Sequence, residues 1–130
     1  INYLNESYNL NFYLLCGSNE TDGANKIINS VHKKNIISLS NKNIEEVLHY
    51  INISDLYIGN DSFGHHISSQ LGKPSFILLL DSPRAYSDYS KNQFQITPIG
   101  YDIDEISHNT NANPNLISVD MIIENIKKFI

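Results

Sequence analysis

The residues with the most chemical potential stand together in Gly59-Asn60-Asp61-Ser62-Phe63-Gly64-His65-His66. This stretch follows a short apolar run and opens a helical pattern. Free N–H groups at a helix N-terminus bind anions, and phosphate is the usual guest. Gly64 lets backbone approach a ligand closely. With Ser62 as the cap, His66 falls about one turn into the helix on the ligand side. The same residues also read as a plain helix cap, made by Asp61 or Ser62, with both histidines solvated. Composition leaves these two readings even. Adjacent histidines on a helix point about 100° apart, and no third His or Cys stands at ligand spacing. No metal site is expected here.

A second cluster is Gly17-Ser18-Asn19-Glu20. A carboxylate just past a strand can accept both hydroxyls of a ribose. Glu20 equally suits the positive end of a helix. Cys16 reads as a small core residue at a strand end rather than a nucleophile. The G-x-S-x-G elbow is absent and Asp61 and Ser62 are neighbours on one loop, so a Ser-His-Asp hydrolase lacks support. Walker A and G-x-G-x-x-G loops are absent too, against ATPase and ordinary dehydrogenase chemistry. Sequons at Asn5, Asn19, Asn52 and Asn60 are expected by chance in an Asn-rich chain.

These clusters need elements to position them. Residues 11–15 read as a buried strand ended by Gly17. Thr21 or Asp22 caps a helix whose apolar positions are Ala24, Ile27, Ile28 and Val31. Residues 36–39 are a second strand. Asn43 with Glu46 opens a helix in capping-box fashion, with Ile44, Val47, Leu48 and Ile51 as its stripe. Residues 56–58 form a third strand. The helix after Ser62 runs to about Leu71, with Gly72 at C′ and Pro74 forbidding continuation. Residues 75–80 are a fourth strand, apolar on both faces as in the middle of a parallel sheet. Residues 81–93 read as a loop with one helical turn, 94–99 as a short edge strand and 101–115 as irregular. Ser118 caps a last helix with Val119, Ile122, Ile123, Ile126 and Ile130 buried and Lys127 and Lys128 at its dipole-favoured end. Ile1, Leu4 and Tyr8 share one face of what reads as the tail of a helix.

This alternation predicts one α/β domain over residues 1–130, a Rossmann-like three-layer sandwich with a mostly parallel sheet and right-handed crossovers. Ligands of such sheets bind beyond the carboxyl ends of the strands. That rule selects the loops at 16–21, 40–43, 59–66 and 81–93. The chain has 130 residues, enough for one core without disulfides. Nine Lys and Arg against 14 Asp and Glu give a net charge of −5, against broad nucleic-acid binding and against polybasic docking on lipid. The single cysteine fits a reducing compartment. No apolar run approaches the ~20 residues of a membrane span. Residues 1–10 lack the basic n-region of a signal peptide. The start at Ile1 reads as a fragment or a processed chain.

Several separated motifs together resemble one family. Residues 39–74, with Asn43-Ile44-Glu45-Glu46-Val47 leading into Ser54-Asp55-Leu56-Tyr57-Ile58-Gly59-Asn60-Asp61-Ser62, are similar to the C-terminal domain of heptosyltransferases. These are GT-B glycosyltransferases of lipopolysaccharide core assembly. Their N-D-[ST]-G-x-x-H motif is matched at Asp61, Ser62 and His66, and Gly72-Lys73-Pro74 closes the helix as their G-x-P does. Tyr89-Ser90-Lys91-Asn92-Gln93 is similar to a Y-G-K-N-Q stretch of some members, and Gly17-Ser18-Asn19-Glu20 to a G-x-x-E. The similarity covers residues 11–93, with the last helix compatible.

The resemblance implies the donor-binding portion of a transferase that moves a sugar, heptose in the family, from an ADP-linked donor to a lipopolysaccharide-type glycolipid. Asp61, Ser62, Phe63, Gly64 and His66 would hold diphosphate and sugar, Glu20 with Gly17 the ribose, and Lys42 and Asn43 the base. It implies metal-independent chemistry with the nucleoside-diphosphate sugar as substrate and no cofactor. It places the catalytic base in an N-terminal acceptor domain outside this sequence, and it implies that the first strand of the nucleotide domain, with its phosphate-contacting Lys, is also missing from this chain. It also implies a cytoplasmic location at the inner face of the membrane. The family glycine two residues after the Asp is Phe63 here, with Gly64 displaced by one. A non-catalytic nucleotide- or sugar-binding module, or one subunit of a two-chain transferase, are the rival readings.

Overall fold

Strand and helix alternate along the chain, and every described ladder is parallel. The fold is therefore α/β and Rossmann-like, as the periodicity requires. The computed structural model describes residues 1–32 and 35–130. They divide into two units, Ile1–Tyr50 and Ile51–Ile130. The strands expected in one sheet are shared between a two-stranded sheet, β1-β2, and a three-stranded sheet, β3-β4-β5.

The first unit begins with helix α1 (Asn2–Ser7) and strand β1 (Phe12–Leu14). A 3-10 turn at Ser18–Glu20 leads into helix α2 (Thr21–Ser30). Strand β2 (Ile36–Ser38) pairs with β1 in the register Phe12 to Ile36 through Leu14 to Ser38. Helix α3 (Ile44–Ile53) follows and carries the boundary between the units. Leu4, Ala24, Val31, Ile36, Leu39 and Val47 are buried here. The expected stripes are only half used. Ile27 of α2 and Ile44 and Leu48 of α3 stay exposed. A two-stranded sheet offers too little apolar area to cover whole helix faces.

The second unit is built on β3 (Tyr57–Asn60), β4 (Ser75–Leu78) and β5 (Gln93–Ile96), with β4 in the centre. Its central place explains the uninterrupted apolar run, since both faces of β4 are covered. Phe76 and Ile77 are almost fully buried, as is Leu79 just beyond. Phe76 packs on Phe94 and Phe129 with ring centroids 5.0 and 5.3 Å away. Helix α4 (Phe63–Gln70) connects β3 to β4. It ends as expected: Gly72 has φ +75°, the Lys73 N–H reaches the Ser68 carbonyl at 2.9 Å, and the Gly72 N–H reaches Ser69 at 3.0 Å. This is a Schellman closure, and the left-handed conformation calls for glycine.

Helix α5 (Val119–Ile126) is capped by Ser118, whose Oγ accepts the Met121 N–H at 3.2 Å. Ile126 is fully buried, but Val119 is exposed in its first turn, outside the expected buried face. The end of this helix uses its lysines differently from a dipole argument. Lys127 pairs with Glu124, and Lys128 lies over the rings of Phe94 and Phe129 at 5.6 and 5.1 Å.

Candidate functional site

Asn60 ends β3, and Asp61 begins the link to α4, so Asp61 stands at the carboxyl end of a parallel strand. Ser62 is the N-cap, with φ −157° and ψ 173°. Its hydroxyl lies 3.0 Å from Tyr57 Oη. Tyr57 reaches it because Gly59, two residues along the same strand face, carries no side chain. A Cβ there would meet Tyr57 Cζ at 2.8 Å. Burial pushes the Tyr57 phenol up, the Ser62 hydrogen bond opposes this, and nearby Asp61 adds to it.

Asp61 is the hub. One carboxylate oxygen, Oδ2, accepts a hydrogen bond from Ser82 Oγ, in the loop after β4. The other, Oδ1, lies 3.1 Å from His65 Nδ1 and 3.3 Å from His66 Nε2. Neither contact has hydrogen-bond geometry, and Oδ1 is a buried oxygen without a hydrogen-bond partner. His65 is fully buried. Its Nδ1 accepts the Ser62 N–H at 3.3 Å, the contact that Glu or Gln usually makes in a capping box. Burial lowers the His65 pKa, with His66 beside it acting in the same direction. Asp61 and the backbone of Tyr86 and Ser62 oppose them. The imidazole is therefore held neutral.

The two adjacent histidines do not diverge as helical spacing suggests. Their ring centroids are 3.9 Å apart. Asp61 lies just before the helix, and both rings fold back towards it over the first turn. His66 is about half exposed, and its Nδ1 contacts Tyr89 Oη at 2.7 Å. Tyr89 in turn is placed by Gln93, whose Oε1 accepts the N–H groups of Tyr89 and Ser90, each at 3.0 Å. Asn92 donates to the carbonyls of Ser69 and Lys73, at 3.2 and 2.6 Å, and so ties the same stretch to the end of α4.

Among the expected site residues, Asp61, Ser62 and His66 come together. Phe63 is the exposed first residue of α4, and Gly64 is buried in its first turn. Gly17 and Glu20 form a local pair in the first unit: the Gly17 N–H donates to Glu20 Oε2 at 2.7 Å. Lys42 pairs with Glu46 at 2.8 Å. Asn43 exchanges hydrogen bonds with Glu46, accepting its N–H at 2.9 Å and donating its own N–H to Oε2 at 3.1 Å. The Lys42–Glu46 pair holds the Lys42 ammonium above and the Glu46 carboxyl below their ordinary ranges, chiefly through their mutual hydrogen bond. Sequence reasoning did not select His65, Ser82 or Tyr57. Each carried a signal: His65 at the third position of a Ser-capped helix, Ser82 just past the central strand, and Tyr57 two residues before a glycine.

Comparison with protein-family models, curated proteins and solved structures finds no match to this chain. No helix among the described residues is long and apolar enough to cross a membrane.

Proposed function

We propose that the chain is the donor-binding portion of a glycosyltransferase resembling heptosyltransferases. The donor is a nucleoside-diphosphate sugar, ADP-linked heptose on the strength of the motifs, and the acceptor is a lipopolysaccharide-type glycolipid on the cytoplasmic face of the membrane. The observation that carries this reading is the gathering of Asp61, Ser62 and His66 at the carboxyl end of β3, joined by Ser82 from the end of β4. Ligands of open α/β sheets bind there. The N-terminus of α4 supplies amide donors for a diphosphate, and Asp61 and His66 supply polar contacts for the sugar.

One observation favours a non-catalytic binding module instead. The bulky Phe63 occupies the first position of α4, where close diphosphate approach calls for a small residue. NMR titration of the 130-residue chain with ADP tests both. The expected outcome is binding on the order of millimolar, about −4 kcal/mol, with shifts at Gly59 to His66. An acidic chain gives an anion little long-range attraction, and one helix N-terminus is worth ~1 kcal/mol. No shifts at high ADP would remove the nucleotide reading altogether.

A further inference from the structure

We propose that Asp61, His65 and His66 form a binding site for a divalent transition cation of the zinc and cobalt class. One potential ligand atom from each of these residues lies within 4.8 Å of the other two. The distances fit a shared ion. Two ligands about 2.1 Å from a tetrahedral ion stand roughly 3.4 Å apart. Asp61 Oδ1 lies 3.1 Å from His65 Nδ1 and 3.3 Å from His66 Nε2. The half-exposed His66 is the ligand with room to adjust.

The hydrogen-bond pattern points the same way. His65 Nδ1 accepts the Ser62 N–H, so that nitrogen carries a lone pair and not a proton, and it lies 3.1 Å from Asp61 Oδ1. Two acceptors 3.1 Å apart, one of them a buried and unpartnered carboxylate oxygen, want a positive centre between them. The Ser62 bond is 3.3 Å long, beyond the usual range, so it engages the lone pair only loosely. Outer partners complete the arrangement. Ser82 occupies Oδ2 and leaves Oδ1 to face inward, while Tyr89 occupies His66 Nδ1 and leaves Nε2 to face Asp61. Two imidazoles and one carboxylate suit zinc or cobalt better than calcium or magnesium. Three protein ligands leave a coordination position for water or an anionic oxygen. The site stands on these ligand atoms alone and does not need the nucleotide reading. It departs from the metal-independent chemistry that the family resemblance implies.

Cobalt(II) titration of the 130-residue chain without nucleotide tests the proposal. The expected result is one saturable equivalent, visible d–d absorption of a low-symmetry site, and chemical-shift changes centred on Asp61 to His66. His66→Ala and Asp61→Asn should each weaken binding by about tenfold or more. His49→Ala and His108→Ala should leave it unchanged. No saturable binding, or binding equal in the wild-type chain and in His66→Ala, would overturn the site. If Asp61→Asn unfolds, His66→Ala decides, because a half-exposed ring is not needed for the core. An ADP titration run separately distinguishes the two ideas. Cobalt binding without ADP binding removes the nucleotide reading alone, and ADP binding without cobalt binding removes the cation site alone.

Discussion

The loops that follow β1 and β3 share a plan and differ in where their acids find partners. Each leaves a parallel strand, turns, and opens a helix, and each carries one carboxylate. Glu20 is exposed and is held by the N–H of Gly17, three residues back in its own turn. Asp61 is largely buried and touches groups from the helix it precedes and from the loop after β4. A carboxylate satisfied within three residues is explained by the turn that it closes. One that needs Ser82, 21 residues away, and leaves a buried oxygen without a hydrogen-bond partner has more than a turn to explain. The same contrast holds between Asn43, which caps α3 reciprocally with Glu46, and His65, which takes the matching position in α4 but also faces Asp61.

The largest expected effect tests whether the second loop rests on a real core. Phe76→Ala should destabilise the chain by about 3–5 kcal/mol, because it empties the centre of β4 and the Phe94–Phe129 cluster. Urea denaturation followed by circular dichroism measures it, and a loss below about 1 kcal/mol would mean that the centre repacks freely. Ser82→Ala should cost about 1.5–3 kcal/mol, since it removes the donor from a mostly buried carboxylate. The matching change in the first loop, Glu20→Gln, keeps an acceptor for Gly17 and should cost less than about 0.5 kcal/mol. Equal costs for these two variants would erase the contrast between the loops.

Acid should act on the second loop as well. His65 is neutral in the fold because burial lowers its pKa, and on unfolding it returns to an ordinary value of 6.5. The unfolded chain therefore binds the extra proton. This contribution to stability is complete above the ordinary value and is lost as the pH falls through and below it. Urea midpoints measured down from neutral pH should fall across that window, and His65→Gln should flatten the trend. A midpoint that rises on acidification would contradict a neutral, buried His65. Asn43→Ala should have a local effect, about 1 kcal/mol for a lost cap, seen as faster amide exchange in the first turn of α3. Shifts confined to α3 would mark it as a local device, while changes spreading along β1 and β2 would not.

Much of this was legible beforehand. The strands at 12–14, 36–38, 57–60 and 75–78 lie where apolar runs predicted them, and the caps at Asn43 and Ser118 and the stop at Gly72 follow from residue type. Such features depend on neighbours within about four residues, which the chain order supplies directly. The buried faces were less legible. Val119, Ile44 and Leu48 carry the right periodicity yet remain exposed, because a stripe is buried only as far as the facing sheet extends.

The chain order by itself determined an α/β alternation, parallel strands, and a loop at 59–66 rich in polar residues. It also determined that Asp61 precedes two histidines at the start of a helix. Only the tertiary structure decided that the ladders fall into two sheets and that Ser82 and Tyr89 come up against Asp61 and His66. Only it decided that both histidine rings fold back onto one carboxylate oxygen. The reason is the range of the forces involved. Caps and periodicities are settled by hydrogen bonds and sterics within a turn or two. The partner of a buried carboxylate is settled by which loops the packing of β4 between β3 and β5 carries to the same sheet edge.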